Sequence, residues 1–451
     1  MAQAQLKFSP FDEANCYHDT SRHGFFSLLL SSNARSDKHQ QSYRLSDMPV
    51  VLSNLDHTRD TWLSQAEFIA PNRRVVNLAR IGLLFADLDT YRQDWAVGRS
   101  PERLAQTVLY FCAEEGIPAP SLLVFSGRGI QAKWLLDGTL PRKALPRWNA
   151  CQRYLVERLA FLGADPAAKD ASRVLRLVDT VNTKSGEVCR VVHVEPGPDG
   201  QPIRYKFDYL AEFLLPVARW DLEAAQKARQ ARQNLKLVQG YQQGNLKALN
   251  GRQLAWDRLE DLRLLAQLRG GVGEGERMLH LFWRLNFLLL SGATHSSLMY
   301  QEAAVLAREL DPNWNCRSRE LMTLYAKAKA HEAGEKVEFN GKRFAPLYTP
   351  RNATLISLFG ITDEEQCHLG TIISKDMALE RRHDRDKKRD EARRRAAGEV
   401  DRQTYLETAE IKKVQALALK AQGLSVRDIA TRLGISKSAV GRYVTDLFSG
   451  A

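Results

Sequence analysis

The segment Ile81-Gly82-Leu83-Leu84-Phe85-Ala86-Asp87-Leu88-Asp89-Thr90 constrains this chain more than any other. An apolar run ending in two acids one residue apart reads as a buried strand whose C-terminal end emerges at a polar surface. Side chains alternate along a strand, so Asp87 and Asp89 share one face, about 6–7 Å apart along the backbone. Two carboxylates so placed can converge on one or two divalent cations, and hard oxygen ligands favour Mg²⁺ or Mn²⁺. Paired metals of this kind serve in-line phosphoryl or nucleotidyl transfer. The same spacing also occurs in strand-end turns with solvated acids, in calcium loops and in sugar-nucleotide enzymes. The motif alone does not choose among them.

The chain has 451 residues, 44% of them hydrophobic and 26% charged, which is globular composition and more chain than one ordinary domain needs. Lys and Arg outnumber Asp and Glu by 12, a surplus that suits a polyanionic partner. Residues 375–451 hold 18 basic and 12 acidic residues, so half of the surplus lies in about a sixth of the chain. The six cysteines are scattered with no Cys-x-x-Cys pair, which argues against disulfide scaffolds, zinc ribbons and iron–sulfur sites. Cys16, His18 and His23 lack a second ligand pair at zinc-like spacing. No apolar run approaches the roughly 18–20 residues that span a bilayer, and the N-terminus lacks a signal-peptide pattern. A soluble cytoplasmic protein with no membrane partner is expected.

The texture divides the chain. To about residue 215, short β-like runs (Ile81–Phe85, Ser121–Phe125, Gln131–Leu136, Arg173–Leu177, Cys189–Val194) alternate with helices and Pro/Gly turns. From about Trp220 helix formers dominate, through the apolar Met278–Leu290 to about Ala333. Thr362 with Glu365 reads as a capping box, which predicts short helices over Asn352–Phe359 and Asp363–Ile373. Residues 379–398 are charged on all faces, as in a solvated helix or linker. The expected units are therefore 1–215, 216–345, 346–405 and 406–451.

Two further segments carry chemistry. Ser121–Phe125, the turn Ser126-Gly127-Arg128-Gly129 and Ile130–Leu136 read as a hairpin, in which the glycines admit close approach of a phosphate and Ser126 and Arg128 donate to it. Gln131 and Lys133 share one face of its second strand. The segment Asp170-Ala-Ser-Arg173-Val-Leu-Arg176 leading to Asn182-Thr-Lys184 adds an acid, two arginines, an amide and a lysine. Its acid could complete a metal site while the guanidiniums grip a triphosphate.

The order of these three segments resembles the archaeo-eukaryotic primase superfamily, and is most similar to the primase–polymerases and replication proteins of plasmids and other mobile elements. The resemblance covers roughly residues 70–195. It implies an α+β fold: an RRM-like catalytic core, then an all-α region, then the C-terminal unit described below. By the resemblance Asp87 and Asp89 match the metal ligands of the first motif, and Asp170 is the leading match for the third acid, with Asp165 and Asp179 as alternatives. Ser126, Gly127, Arg128, Gly129, Gln131, Lys133, Arg173, Arg176, Asn182 and Lys184 fall where nucleotide is bound. Gln131 stands where the family usually has a histidine, and Arg176-Leu177-Val178-Asp179-Thr180 departs from the usual third motif. The implied function is metal-dependent, DNA-templated primer synthesis or extension from NTPs or dNTPs on single-stranded DNA, with Mg²⁺ or Mn²⁺. The glycines at 270–275 open no P-loop, so a replicative helicase would act in trans. The rival is a non-catalytic DNA-binding replication initiator or regulator with a degenerate primase-like head.

Residues 411–447 have the texture of a helix-turn-helix resembling resolvase- and regulator-type units. Gly423 ends a first helix, Ser425 with Asp428 opens a second, Gly434 supplies the turn, and Ile435, Val440 and Val444 seal the core. Ser436 caps the recognition helix, and Lys437, Ser438 and Arg442 lie on its exposed side, where a duplex major groove would meet them.

Overall fold

The computed structural model describes residues 8–31, 38–215, 244–339, 342–396 and 402–445. The helical texture read from Trp220 to residue 238 lies outside the described residues. Two compact units emerge, Met1–Ile372 and Ile373–Ala451. The head and the helices after it thus share one unit, and the boundary at 372/373 differs from those at 215, 345 and 405.

The head is built on one sheet containing ten of the described strands. They are β1 (Phe25–Ser31), β2 (Lys38–Arg44), β3 (Thr61–Ser64), β4 (Ala66–Phe68), β5 (Leu78–Leu88), β6 (Leu122–Phe125), β7 (Ile130–Pro141), β8 (Val174–Arg176), β11 (Arg190–Val194) and β12 (Arg204–Tyr205). A separate two-stranded pair, β9 (Val181–Asn182) and β10 (Glu187–Val188), follows β8. The main path runs β11-β6-β7-β5-β4-β1-β3-β8, and its neighbours are antiparallel.

The apolar run at 81–88 is the centre of this sheet because both its faces are covered. Helix α1 (Pro10–Asn15), capped by Ser9 with Asp12 and started by Pro10, ends against β5. A Cβ on Gly82 would collide with the Tyr17 carbonyl there, so only glycine lets the two backbones approach. Past Ile81, β5 has no strand on its β4 side. Its free backbone groups are taken instead by helix α4 (Leu145–Arg158): Trp148 donates to the Leu83 carbonyl (2.9 Å), and Gln152 both accepts from the Phe85 N–H (3.2 Å) and donates to its carbonyl (2.6 Å). Further along, the Asp165 N–H donates to the Asp87 carbonyl and the Asp89 N–H to the Gly163 carbonyl, both at 2.8 Å.

Helices α6 (Gly244–Leu268), α7 (Arg277–Leu290), α8 (Met299–Leu310) and α9 (Met322–Glu332) form a layer around Trp256, Leu285 and Phe287. Trp283 and Phe287 of the apolar helix are core residues, and Phe282 is partly buried beside them. The region also carries a hairpin of two strands, β13 (Val337–Phe339) and β14 (Lys342–Phe344), so it is not purely helical. Helix α10 spans Asn352–Phe359 as expected, and the Thr362–Glu365 capping box is present. The helix it starts, α11 (Asp363–His368), stops before Ile373, because the N–H groups of Gly370, Thr371 and Ile372 donate to the Asp261 carboxylate (2.6–2.8 Å) rather than to helix carbonyls. No helix among the described residues is long and apolar enough to cross a membrane.

In the second unit, helix α12 (Lys375–Ala396) is charged all round and has no buried residue. Helices α13 (Arg402–Ala421), α14 (Val426–Leu433) and α15 (Lys437–Thr445) pack around Ala416, Ile429, Ala430 and Val440. Gly423 and Gly434 adopt φ of 86° and 61°, the left-handed turns that end α13 and α14.

Candidate active site

Three segments distant in sequence meet in one cleft of about 650 Å³. β5 delivers Asp87 and Asp89, the β6–β7 turn delivers Ser126, Arg128 and Gly129, and the chain around β8 and β9 delivers Asp170, Arg173, Arg176 and Asn182. Packing explains the meeting. A Cβ on Gly129 would collide with the Leu88 carbonyl, next to Asp89, and one on Gly127 (φ 91°) would collide with Asn182. The glycines let chain approach chain, whereas approach to a phosphate was the expectation. The Asn182 amide then donates to the Ser126 carbonyl (2.8 Å), tying the turn to the third segment.

Asp87 lies on the cleft floor. Burial pushes its carboxyl up to about 6; Arg173 opposes the rise, while Asp89 and Asp165 add to it. Asp89 sits just past the end of β5, with φ −71° and ψ 55°, so the pair flanks a bend rather than continuing an extended strand. Asp165 is brought beside Asp87 by the backbone bond between them and accepts from Arg173 (2.7 Å). Asp170 lines the same cleft, but its Oδ1 accepts from the N–H (3.0 Å) and hydroxyl (2.6 Å) of Ser172, closing its own turn. Asp179 lies outside the cleft lining with φ 58°, its carbonyl bonded to His57 Nδ1 (2.6 Å). The acids that raise the Asp87 carboxyl most are Asp89 and Asp165.

Two residues expected at the nucleotide are engaged elsewhere, and a third lies apart from the cleft. Lys133 is fully buried and ion-paired with Glu13 of α1, under the Tyr17 ring at 4.9 Å, and does not line the cleft. The strand alternation that put it on the same face as Gln131 was right, but that face closes onto α1 at this point. Gln131 lines the cleft but is almost completely buried. With its amide turned to satisfy both atoms, it donates to the Arg176 carbonyl (3.2 Å) and accepts from the Arg176 N–H (2.9 Å). A side chain of β7 thus holds β8, at the far end of the strand order, and curls the sheet around the cleft. Lys184 is exposed and outside the cleft lining.

The folded chain also brings in residues that no local pattern marked. Lys38 and Arg176 lie 4.3 and 4.6 Å from the Trp62 ring centroid, and Arg128 lies 4.3 Å from that of Tyr91. Arg73, Arg74 and His295 complete the rim. Two of the cleft's arginines are neutralised in place, Arg173 by Asp165 and Arg176 by Asp60, which also accepts from the Thr183 N–H (3.2 Å).

Among the described residues no group of three or more His, Cys, Asp or Glu side chains is placed to hold a metal ion. Asp87 and Asp89 still suit a divalent cation, since they are hard, like-charged oxygen donors and one is held at a raised pKa by burial. Mg²⁺ commonly binds through one or two carboxylates and draws its other ligands from water and substrate phosphates.

In the second unit, Ser436 accepts from the Ala439 N–H (3.2 Å) and caps α15, and Lys437, Ser438 and Arg442 are exposed on it. Residues 407–449 match the family model of the homeodomain-like domain. The C-terminal unit carries a helix-turn-helix. Over 370 residues the chain is 26% identical to a replication protein of Clostridium perfringens, covering 82% of this chain and 80% of that one. Among solved structures it is similar to the AEP domain of a primase-polymerase of cyanophage S-2L, at 16% identity, 44% of this chain, 91% of that chain and a TM-score of 0.32. It is also similar to the catalytic domain of primase RepB′ in complex with initiator DNA, at 13% identity, 51% of this chain, 100% of that chain and a TM-score of 0.28.

Proposed function

We propose that this chain is a plasmid or mobile-element replication protein whose head joins nucleotides on a DNA template and whose C-terminal helix-turn-helix binds duplex DNA. The observation that carries the reading is the convergence of the Asp87–Asp89 pair, the Ser126–Gly129 turn and Arg173–Arg176 on one cleft. The replication protein of C. perfringens, matched over most of both chains, supports it.

In this reading Asp87 and Asp89 would hold Mg²⁺ or Mn²⁺, whose charge would offset that of the nucleotide phosphates; a 3′-hydroxyl attacks the α-phosphate and pyrophosphate leaves. Asp165 is held by Arg173, and Arg173 and Arg176, though ion-paired, still favour the ionised form of Asp87. Arg128 lines the same space from the turn, whereas the Ser126 hydroxyl, expected to donate to phosphate, donates to the Gly129 carbonyl (3.1 Å). Single-stranded template, NTP or dNTP, and duplex DNA at Lys437, Ser438 and Arg442 are the partners this implies, with a helicase acting in trans.

The test is template-dependent synthesis on single-stranded DNA with labelled ribo- and deoxynucleotides and Mg²⁺ or Mn²⁺. Product from the wild type, and none from a folded Asp87→Ala/Asp89→Ala variant, is the expected result. No product from folded, DNA-binding wild type with either metal would overturn the reading in favour of a non-catalytic initiator.

A further inference from the structure

The loop between β4 and β5 brings Arg73 and Arg74 to the cleft, and the helical layer holds that loop at several points. Arg74 donates to Gln301 of α8 (2.6 Å). The next residue, Glu302, is buried and accepts from the Val76 N–H (3.3 Å). Arg263 of α6 donates to the Val76 carbonyl (2.9 Å) and is itself anchored by Glu309 (2.6 Å). From the other side, Arg73 donates to the Ser172 carbonyl and to Gln40 (3.2 Å). Two adjacent side chains of one helix, Gln301 and Glu302, are thus given to a single loop.

Ion pairing separates Arg73 and Arg74 from Arg173 and Arg176. Arg173 and Arg176 each face a carboxylate, and Arg73 is occupied by a main-chain carbonyl. Arg74 is held by a neutral amide, and among the described residues no carboxylate lies within ion-pair distance of it. An arginine held by an amide, with only the buried Glu302 carboxylate near enough to act on its charge and no ion pair of its own, lines the cleft that holds the acid pair and can meet phosphate oxygens there. A carboxylate at position 301 would have held the loop more tightly, but it would have cancelled that charge.

We propose that Arg74 is a phosphate-binding residue of the cleft and that Gln301 and Glu302 of the helical layer are its positioning residues. The proposal rests on the cleft being a nucleotide or nucleic-acid site. Its ligand is a phosphate of either an incoming nucleotide or a DNA strand.

The test uses the full chain and measures equilibrium binding of labelled dATP with Mg²⁺ and, separately, of a single-stranded oligonucleotide. Arg74→Ala should weaken one of these about tenfold or more, as expected for loss of a charge-assisted bond, with the melting temperature unchanged. Which ligand is lost identifies whose phosphate Arg74 holds. Arg74→Lys should restore part of the loss. Gln301→Glu separates this role from a merely structural one: by neutralising Arg74 it should weaken binding as much as Arg74→Ala, while leaving stability equal or higher. Wild-type binding by Arg74→Ala to both ligands, or by Gln301→Glu, overturns the proposal alone. A wild type whose Asp87→Ala/Asp89→Ala variant makes product as well as it does would instead overturn the reading of the cleft.

Discussion

Replacing Lys133 with methionine separates a structural lysine from a substrate-binding one. The Lys133 and Glu13 side chains are 0% and 1% exposed, and the Glu13 carboxylate also accepts from the Tyr17 hydroxyl (3.1 Å) and the Val178 N–H (3.2 Å). Lys133→Met removes the cation and leaves that carboxylate buried with two neutral donors. Removing one partner of a buried pair costs about 3–5 kcal/mol. With an unfolding entropy of about 2.1 cal/mol/K per residue over the unit Met1–Ile372, each kcal/mol corresponds to roughly 1.3 °C. A fall of about 4–6 °C in melting temperature is therefore expected by calorimetry. The double variant Lys133→Met/Glu13→Gln, which removes both charges, should recover most of it, since replacing a buried pair by neutral groups is often close to neutral. Nucleotide binding, measured well below the transition, should stay within about twofold of wild type. A Lys133→Met chain as stable as wild type that no longer binds nucleotide would refute this reasoning and return Lys133 to the triphosphate.

Other perturbations test other parts of the molecule. Gly129→Ala places a Cβ against the Leu88 carbonyl, so a cost of about 1–3 kcal/mol is expected by denaturant titration, with synthesis falling more than stability because the turn carrying Ser126 and Arg128 must shift. His18 is buried, its Nε2 bonded to the Ser64 carbonyl (2.9 Å), and burial pulls its pKa down to about 4 from 6.5. Its folded form binds fewer protons than its unfolded form, so this group's stability is present above about pH 6.5 and lost as pH falls toward 4, by about 2 kcal/mol at pH 5. His18→Gln should flatten the stability–pH curve in that window, and an unchanged curve would show that His18 is not its source. In the second unit, Lys437→Ala and Arg442→Ala should each lower the slope of log binding constant against log salt by about 1 on duplex DNA. Slopes equal to the wild type's would place the duplex elsewhere.

The central strand was legible because a buried strand needs a continuous apolar run, and Ile81–Ala86 supplies one that ends at Asp87. The C-terminal unit was legible for a similar local reason: the capping serines, the two turn glycines and the apolar spacing all lie within some 40 residues. Less visible were β1 to β4, short strands whose sides are settled by pairing across the sheet rather than by their own alternation. The length of α11 was hidden too, since its end is decided by Asp261, about a hundred residues away.

Residue types and their order by themselves determined which segments carry chemistry, because acids at a strand end, a glycine turn and a run of arginines are local facts. They also determined the helix-turn-helix, whose core is made from neighbours in the chain. The tertiary structure alone decided which of those side chains reach the cleft. Asp170 lines the cleft, while a backbone bond sets Asp165 beside Asp87. Gln131 and Lys133 are turned to holding β8 and α1 because the sheet curls onto them. Arg74 arrives from a loop that helices α6 and α8, distant in sequence, hold in place. A side chain's type is written in the chain, but its available charge and donors depend on which partners the fold leaves within hydrogen-bonding distance.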